Sequence, residues 1–308
     1  MARSRPGSKY AGRGTLCTAE LEDEDGDEMI LVTGATGNVG AELVRTLTGW
    51  GEQVRALVRD PAKATLPPGA EAVTGDLNRP ETLADALDGV NGMFLLPGYD
   101  NLPDLLERAN KAGVRRVALL SGGSAALRDM ANAVSRYMTL SEDAVRASEL
   151  SWTLLRPRSF MSNALRWLPQ LAAGDVVRVQ FPRVRVGAID PADIAAVAAA
   201  ALTRDELSGQ VLELTGPQAL RPAEQVAVLA AVLNRPLVAH ELVDAETEAE
   251  LAATMPREYV DAFLSFFVEG TLDEATLYPT VEQVTGRSPR TFEQWASAHV
   301  EAFAPTPS

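Results

Sequence analysis

The first half of the chain alternates short apolar runs, typical of buried strands, with longer stretches whose apolar positions recur every three or four residues, as in helices. The predicted strands are 29–34, 53–59, 70–76, 91–98, 114–122 and 151–157. The predicted helices are 38–49, 80–89, 102–113 and about 130–148. Strands that alternate with helices predict right-handed βαβ crossovers, and hence a parallel sheet covered on both faces.

The second half mixes short strands with helices and shows no linker or change of composition. Its predicted strands are "VVRV", "RVGA", "QVLELTG" and "PLVAHEL", and its predicted helices are 191–202, 222–234, 244–269 and 291–302. We therefore predict an α/β fold of Rossmann type, with a doubly wound parallel sheet over 29–157. A smaller C-terminal α+β lobe, residues 158–303, belongs to the same structural unit and is expected to bind the substrate.

The two ends of the chain differ from the rest in composition. Residues 1–28 join a basic, Gly- and Ser-containing start to the acidic run "ELEDEDGDE". Such a stretch buries too little apolar surface to offset its ordering entropy, so we predict a disordered acidic leader, with a regulatory arm as the alternative. Residues 304–308 are predicted to be a frayed tail.

Charge and composition limit the classes of partner that the protein can bind. The net charge of −14 repels polyphosphate backbones, which argues against nucleic-acid binding. Cys17 is the one cysteine of the chain, which excludes disulfides within the chain and fits a cytoplasmic protein. The only histidines are His240 and His299, so we predict no metal site. The apolar stretch at 194–202 is far shorter than the ~20 residues that span a bilayer, so no membrane partner is expected, and we predict a monomer or a homodimer.

The segment "TGATGNVG" places Gly34, Gly37 and Gly40 three residues apart, between a predicted strand and a predicted helix. In a dinucleotide site the first glycine permits a tight turn and the second lets the backbone approach a pyrophosphate. The third lets the helix pack closely on the strand. The anion then binds free N–H groups at the positive end of the helix dipole. This spacing and context predict a dinucleotide-binding loop.

The end of the second predicted strand bears on the choice between NAD and NADP. NAD-binding proteins usually place a carboxylate there, whereas this chain has Arg59, with Lys63 four residues later. A guanidinium favours the 2′-phosphate of NADP through charge-assisted hydrogen bonds. Asp60 is a competing acceptor for a ribose hydroxyl, so NADP(H) is the predicted cofactor and NAD(H) stays open.

Several stretches together resemble the NmrA-like branch of the atypical short-chain dehydrogenases, from Met29 to about Phe303. They are "ILVTGATGNVG", "ALVRDPAKA", "GDLNRPETLADALDGV", "GVRRVALLSG", "SELSWTLLRPRSFMSN", "VGAIDPADIAAVAAAAL" and "PRTFEQWASAHVEAF". The glycine motif is shared by a wide superfamily, whereas "LRPRSFMSN" and "DPADIAAVAAAAL" are more particular to this branch.

The resemblance implies a set of cofactor-binding residues that follow the carboxyl ends of the strands. The residues implied at the pyrophosphate are Gly34, Thr36, Gly37, Asn38, Val39 and Gly40. Those implied at the adenosine end are Arg59, Asp76 and Leu77. Those implied at the nicotinamide end are Leu96, Pro97, Ser121, Gly122, Pro157 and Phe160. Turn formation or core packing is the alternative role for each.

The usual catalytic pair of short-chain dehydrogenases is missing. Tyr137 lies roughly where those enzymes keep a tyrosine, but Ser141 replaces the lysine four residues later, and no Tyr-x-x-x-Lys pair occurs anywhere in the chain. The lysine that NmrA-like members often keep would fall near Met138. A phenol without a cationic neighbour is a poor proton shuttle at neutral pH. Tyr137 and Ser121 are therefore the remaining catalytic candidates, and packing against the sheet is the alternative for Tyr137.

Hydride transfer does not require a side-chain acid, because a reduced quinone or enone can take its proton from water. We therefore predict an NADP(H)-dependent oxidoreductase that acts on a small conjugated acceptor. The alternatives are a redox sensor or regulator that binds the cofactor without turnover, and a cofactor-assisted isomerase or epimerase. Apolar residues at 160–181 and 255–268 predict an acceptor pocket, with core packing or an oligomer surface as alternatives.

Overall fold

The computed structural model describes residues 29–303, so the predicted leader, with Cys17, and the predicted tail lie outside the described residues. The strands are β1 (Met29–Val32), β2 (Gln53–Val58), β3 (Ala70–Thr74), β4 (Val90–Leu95), β5 (Arg116–Leu120), β6 (Ser151–Pro157), β7 (Val176–Val179), β8 (Gln210–Leu214) and β9 (Val238–Glu241). The helices are α1 (Asn38–Trp50), α2 (Ala84–Leu87), α3 (Leu102–Lys111), α4 (Ala133–Ala147), α5 (Leu168–Ala173), α6 (Pro191–Thr203), α7 (Pro222–Leu233), α8 (Asp244–Ala252), α9 (Arg257–Phe267), α10 (Thr280–Thr285) and α11 (Phe292–Ala298).

The main sheet has seven parallel strands in the order β3-β2-β1-β4-β5-β6-β8. The chain starts at β1 in the middle, moves outward to β3, and then crosses back to β4. Strand order therefore reverses between β1 and β4. In doubly wound sheets the crevice at the carboxyl ends of two such strands is where a dinucleotide binds. The predicted Rossmann-type fold is confirmed.

Helices cover both faces of this sheet, as predicted. α1 and α6 contribute to the apolar core on one face, and α3 and α4 to the core on the other. α6 is apolar nearly all round, which is typical of a helix buried on every side, and it packs against α1. Its start is capped by Asp190, whose Oδ1 accepts a hydrogen bond from the Ala192 N–H at 2.8 Å, as expected for an N-cap residue.

A third apolar core lies in the C-terminal part of the chain. β7 and β9 pair in parallel there, and the 3₁₀ helix Met161–Trp167 packs with α7 and α11 around the buried Trp167 and Trp295. β8 does not join this group. It pairs with β6 and extends the main sheet, so the sheet contains a strand from the segment that the sequence assigns to the lobe.

Two predicted elements of the lobe differ from the structure. The helix predicted over 244–269 is divided into α8 and α9 at Pro256, whose ring nitrogen cannot donate the N–H that a continuous helix needs. The segment "RVGA" forms an isolated bridge, Val186 with Leu220, in place of a strand. In both places the chain forms a loop instead of a regular element, and both loops border the cavity described below.

Residues 29–303 contain neither a membrane-spanning helix nor a metal-binding cluster. No helix in that range is long and apolar enough to cross a membrane. That range also holds no cluster of three or more His, Cys, Asp or Glu side chains arranged to bind a metal ion.

Candidate active site

A groove of about 980 Å³ opens at the carboxyl ends of β1 to β4. Its size falls within the range of small-molecule and cofactor sites. The residues that the sequence predicts to bind cofactor and that line this groove are Gly34, Thr36, Arg59, Lys63, Asp76, Leu77 and Leu96. The fold thus brings the predicted pyrophosphate and adenosine ends of the site together.

The glycine loop is shaped by contacts that a larger residue would break. Gly34 has a φ of +61°, and a Cβ there would lie 2.6 Å from Cδ1 of Leu96. The Gly37 N–H donates to the Gly34 carbonyl oxygen at 2.8 Å and closes the turn. A Cβ on Gly40 would lie only 2.1 Å from that same oxygen. Glycine at these positions lets α1 start directly against the end of β1.

The start of α1 is free to bind an anion. Gly37, at the N-cap, supplies no side-chain hydrogen bond, and the first turn contains no acidic residue. The N–H groups of a first helical turn have no acceptor within the helix, and the helix dipole adds partial positive charge. Thr36 and Asn38 are exposed there, whereas Val39 and Gly40 are buried and have only backbone to offer. These residues fit a pyrophosphate.

Arg59 follows β2 at the rim of the groove and is exposed. Within residues 29–303 its guanidinium has no ion pair or hydrogen bond, so its charge is not neutralised by a neighbour. Asp60, the competing acceptor, is engaged: its carboxylate accepts the Ala62 N–H at 3.1 Å and pairs with Lys63 Nζ at 3.0 Å. A phosphate in the groove would therefore meet an unpaired guanidinium.

The groove also contains the predicted Asp76 and, with it, residues that the sequence reasoning missed, namely Asn78, Arg79 and Tyr99. Asp76 accepts hydrogen bonds from the Asn78 N–H at 2.9 Å and from Arg79 Nε at 3.1 Å, and these bonds lower the pKa of its carboxyl. Tyr99 also lines the groove, and burial raises the pKa of its phenol. It lies four residues after Leu95, the last residue of β4, so a search extended four residues past each strand end would have found it.

Most residues predicted at the nicotinamide end lie outside this groove, at the neighbouring strand ends. Pro157 ends β6 and pairs with Leu214 of β8. Gly122 lies beneath Met138, whose Cε would be 3.3 Å from a Cβ at that position. Pro97 immediately follows the groove-lining Leu96. Met138, near which the resemblance implies that the missing lysine would fall, thus packs against Gly122.

Ser121 is buried, and its hydroxyl is already used. Its Oγ donates to Glu142 Oε1 at 2.6 Å, and Glu142 also pairs with Arg156 at 2.7 Å and Arg146 at 2.9 Å. Burial alone would raise the pKa of Glu142, but the hydrogen bonds from Arg156 and Ser121, with both positive charges, lower it. Ser121 therefore anchors the end of β5 to α4 and β6.

Tyr137 packs beside the loop that follows β4. Its Cδ2 would be 3.5 Å from a Cβ on Gly98, and burial, followed by the nearby Tyr259, raises the pKa of its phenol. Ser141, in the position of the missing lysine, accepts the Gly98 N–H at 3.0 Å and donates to the Tyr137 carbonyl oxygen at 2.7 Å. This serine ties α4 to the β4 loop and supplies no charge.

A second cavity, of about 290 Å³, lies beyond the carboxyl end of β6. We call it the acceptor cavity. It is lined by Ser159, Phe160, Asn163, Arg166, Gln180, Phe181, Val184, Val186, Ala188, Pro222, Gln225, Leu251, Met255, Phe263 and Phe267. Both apolar segments noted in the sequence, 160–181 and 255–268, thus border one cavity.

Aromatic rings form one wall of the acceptor cavity. The rings of Phe181 and Phe267 have centroids 4.9 Å apart, and Phe263 stacks on Phe267 at 6.1 Å. Phe181 has a φ of +51°, a left-handed conformation that costs a non-glycine residue roughly 1–2 kcal/mol. Strained backbone of this kind is concentrated at binding sites, where the surrounding structure holds it in place.

Comparison with known proteins agrees with this geometry. The sequence model of an NAD(P)H-binding family matches residues 34–205. The chain is 41% identical over 283 residues, 90% of its length and 100% of the relative's, to (4-alkanoyl-5-oxo-2,5-dihydrofuran-3-yl)methyl phosphate reductase of Streptomyces griseus. It is 36% identical over 287 residues, 89% of its length and 99% of the relative's, to the NAD(P)H azoreductase of Xenophilus azovorans.

Among solved structures, the NADPH-dependent quinone oxidoreductase QOR2 of Escherichia coli, complexed with NADPH, superposes with a TM-score of 0.73 at 24% identity. The superposition covers 88% of this chain and all of that chain. The negative transcriptional regulator NmrA in complex with NAD gives a TM-score of 0.68 at 18% identity, covering 88% of this chain and 94% of that one. These two structural similarities establish the fold, and the two sequence relatives indicate the class of activity. The chain belongs to the NAD(P)H-binding family and is an NAD(P)H-dependent oxidoreductase.

Proposed function

We propose that this protein reduces a small conjugated carbonyl compound, an enone or a quinone, with NADPH as the hydride source. The observation that carries the proposal is the pair of cavities at one edge of the sheet: a polar groove and a smaller aromatic cavity beyond β6. The Streptomyces relative supports the acceptor class, because its named substrate is an unsaturated lactone conjugated with a second carbonyl.

The preference for NADPH rests on Arg59. The Arg59 guanidinium lines the groove and has no acidic partner among residues 29–303, and Asp60 is engaged by Lys63 and the Ala62 N–H. A 2′-phosphate placed there would form charge-assisted hydrogen bonds, which are roughly twice as strong as neutral ones. The predicted residues at the start of α1 would hold the pyrophosphate.

The reaction balances without an acidic side chain. When bound, reduced nicotinamide would supply a hydride to the β-carbon of the acceptor. The C=C electron pair would move towards the carbonyl, and the resulting enolate would take a proton from water. The predicted cofactor residues would hold the nucleotide and the acceptor cavity would hold the acceptor, so the protein would contribute chiefly their proximity and orientation.

Tyr137 and Ser121 are given positioning roles in this proposal. The hydroxyl of Ser121 is committed to Glu142, and the pKa of Tyr137 is raised, the opposite of what a proton shuttle at neutral pH needs. The lobe of residues 158–303 is proposed to supply most of the acceptor cavity. Among the three functions weighed from the sequence, the reductase is favoured by both relatives, whereas the likeness to a transcriptional regulator establishes only the fold.

An arginine substitution tests the cofactor part of the proposal. In Arg59→Ala the dissociation constant for NADPH should rise about 10- to 100-fold, the usual worth of a hydrogen bond to a charged group. The constant for NADH should hardly change, because NADH lacks the 2′-phosphate. Both constants are measured by nicotinamide fluorescence.

Arg115→Ala is the matched control. Arg115 is exposed and precedes β5 at the amino edge of the sheet, away from the groove, so its substitution should leave both constants unchanged. Oxidation of NADPH is then followed with a cyclic enone and a benzoquinone. Equal losses for NADPH and NADH in Arg59→Ala, or no oxidation with either acceptor, would contradict the proposal.

A further inference from the structure

The acceptor cavity contains a charge that nothing in the proposed function uses. Arg166 is the one charged residue among those that line it within residues 29–303. It lies in the 3₁₀ helix Met161–Trp167, where the Asn163 N–H donates to the Phe160 carbonyl oxygen at 3.0 Å. Residues three apart share one face of a 3₁₀ helix, so Phe160, Asn163 and Arg166 all border the same space.

Arg166 differs from several other arginines of residues 158–303. Four of these form ion pairs: Arg178 with Glu250, Arg183 with Asp244, Arg185 with Glu224 and Arg235 with Asp175. Between residues 29 and 303, Arg166 has neither an ion pair nor a hydrogen bond. Its positive charge therefore has no counterpart in the part of the chain that the structure describes.

The charge of Arg166 borders the cavity and is open to a ligand. Its side chain is exposed, while the protein atoms around it lower its pKa by desolvation. A guanidinium stays protonated in proteins, so the edge of the cavity keeps a positive charge. An anion bound in the cavity would form charge-assisted hydrogen bonds with this guanidinium.

We propose that Arg166 binds an anionic group of the acceptor, a carboxylate or a phosphate monoester, while the Phe181, Phe263 and Phe267 wall holds its apolar part. The inference rests on the proposed function and adds the class of substrate: a conjugated carbonyl compound with an acidic substituent. The planar fork of a guanidinium suits either anion, because both accept two parallel N–H bonds.

Turnover of three matched probes tests this substrate class. They are a cyclic enone with a hydroxymethyl substituent, the same ring with the phosphate ester of that group, and the same ring with a carboxymethyl group. The wild-type protein should prefer an anionic probe over the neutral one by about 10- to 100-fold in kcat/KM. The preferred anion decides between phosphate and carboxylate.

Substitution of Arg166 locates the preference. In Arg166→Leu the ratio of kcat/KM for anionic and neutral probes should fall towards one, and Arg166→Lys should restore part of it by returning the charge. Arg115→Leu, at the other edge of the sheet, should keep the wild-type ratio. A wild-type protein that reduces the neutral probe equally well, or an Arg166→Leu variant that keeps the preference, overturns the inference.

A binding measurement separates this inference from the proposed function. Calorimetry with phenyl phosphate, or with phenylacetate for the carboxylate, is done in saturating NADP⁺ so that the cofactor groove is filled. The affinity for one of these anions should be about 10-fold or more weaker in Arg166→Leu than in the wild type, whatever the turnover. Equal affinities would refute the role of Arg166. Weakened binding without turnover of any probe would instead refute the reductase.

Discussion

The cofactor groove and the acceptor cavity lie at the same edge of one sheet but are built from different parts of the chain. The groove lies beside the start of α1, whose backbone amides are predicted to hold the pyrophosphate, and is lined by exposed polar side chains such as Arg59. The acceptor cavity uses aromatic rings from segments about a hundred residues apart, 160–181 and 255–268, with one arginine among them.

This difference follows from the ligands. A dinucleotide is large and carries a pyrophosphate that any such enzyme must hold, and backbone N–H groups at a helix start do this with few specific side chains. An acceptor is small and varies between enzymes, so its site is formed by side chains that can change without disturbing the sheet. Perturbing each region should therefore give separable effects.

The largest effect is expected in the groove, from Gly40→Ala. The new Cβ would lie 2.1 Å from the Gly34 carbonyl oxygen, so the start of α1 must move away from β1. Overpacking of this kind costs about 1–3 kcal/mol, and we expect affinities for NADPH and NADH to fall alike, by about 10- to 100-fold. Nicotinamide fluorescence measures both.

Gly49→Ala is the control for this prediction, since it makes the same change near the other end of α1. A Cβ at Gly49 meets nothing within 4 Å, and alanine should stabilise this exposed helical position by up to about 1 kcal/mol. Thermal unfolding of both variants, followed by circular dichroism, checks that they fold. Unchanged cofactor affinity in a folded Gly40→Ala variant would remove the glycine loop from the site.

Glu274, a buried residue, supports the wall of the acceptor cavity. Its Oε2 accepts hydrogen bonds from the N–H and the hydroxyl of Ser159, each at 3.0 Å, and Ser159 lines the cavity. Burial raises the pKa of the Glu274 carboxyl above its ordinary value of 4.5, and no ion pair in residues 29–303 offsets that burial. The folded protein therefore holds this proton more tightly than the unfolded chain does.

The sign of the pH effect follows from that difference. As pH rises from 4.5 through the raised value, the unfolded chain loses the proton first, so this carboxyl makes the free energy of unfolding fall. Glu274→Gln keeps an acceptor for the Ser159 N–H and should lack this fall. Urea unfolding at several pH values measures it, with Glu269→Gln on the exposed surface as control. Parallel pH curves for wild type and Glu274→Gln would contradict the prediction.

The same contrast explains what the sequence could predict. Gly34, Gly37, Gly40 and Arg59 are recognisable because a backbone-built site needs particular residue types at fixed spacing beside a strand. The sheet, most of its helices and the Asp190 cap follow from periodicity and capping rules in the same way. All of these signals are local in sequence.

The acceptor cavity left a weaker signal, because the apolar segments 160–181 and 255–268 predict a pocket but not which side chains meet in it. Phe181 and Phe267 are ordinary apolar residues in the sequence and become neighbours only in the folded lobe, and nothing before folding distinguishes Arg166 from the arginines that form ion pairs. The placement of β8 beside β6 is equally non-local, because a strand pattern does not say which sheet the strand joins. Tertiary contacts decide such features.

Tyr137→Phe should give the smallest effect, and it tests the junction between the two regions. Tyr137 packs beside the β4 loop on the groove side, and neither the groove nor the acceptor cavity is lined by it. If the enolate takes its proton from water, loss of the phenol should change kcat by less than the ~10²-fold that a general acid contributes, and we expect a change of about twofold.

The kcat–pH profile with a cyclic enone should keep its shape, with Tyr259→Phe as a control for lost hydroxyl packing. A loss of about 10²-fold confined to Tyr137→Phe would make this phenol the proton donor and would show that burial beside Gly98 positions it for chemistry.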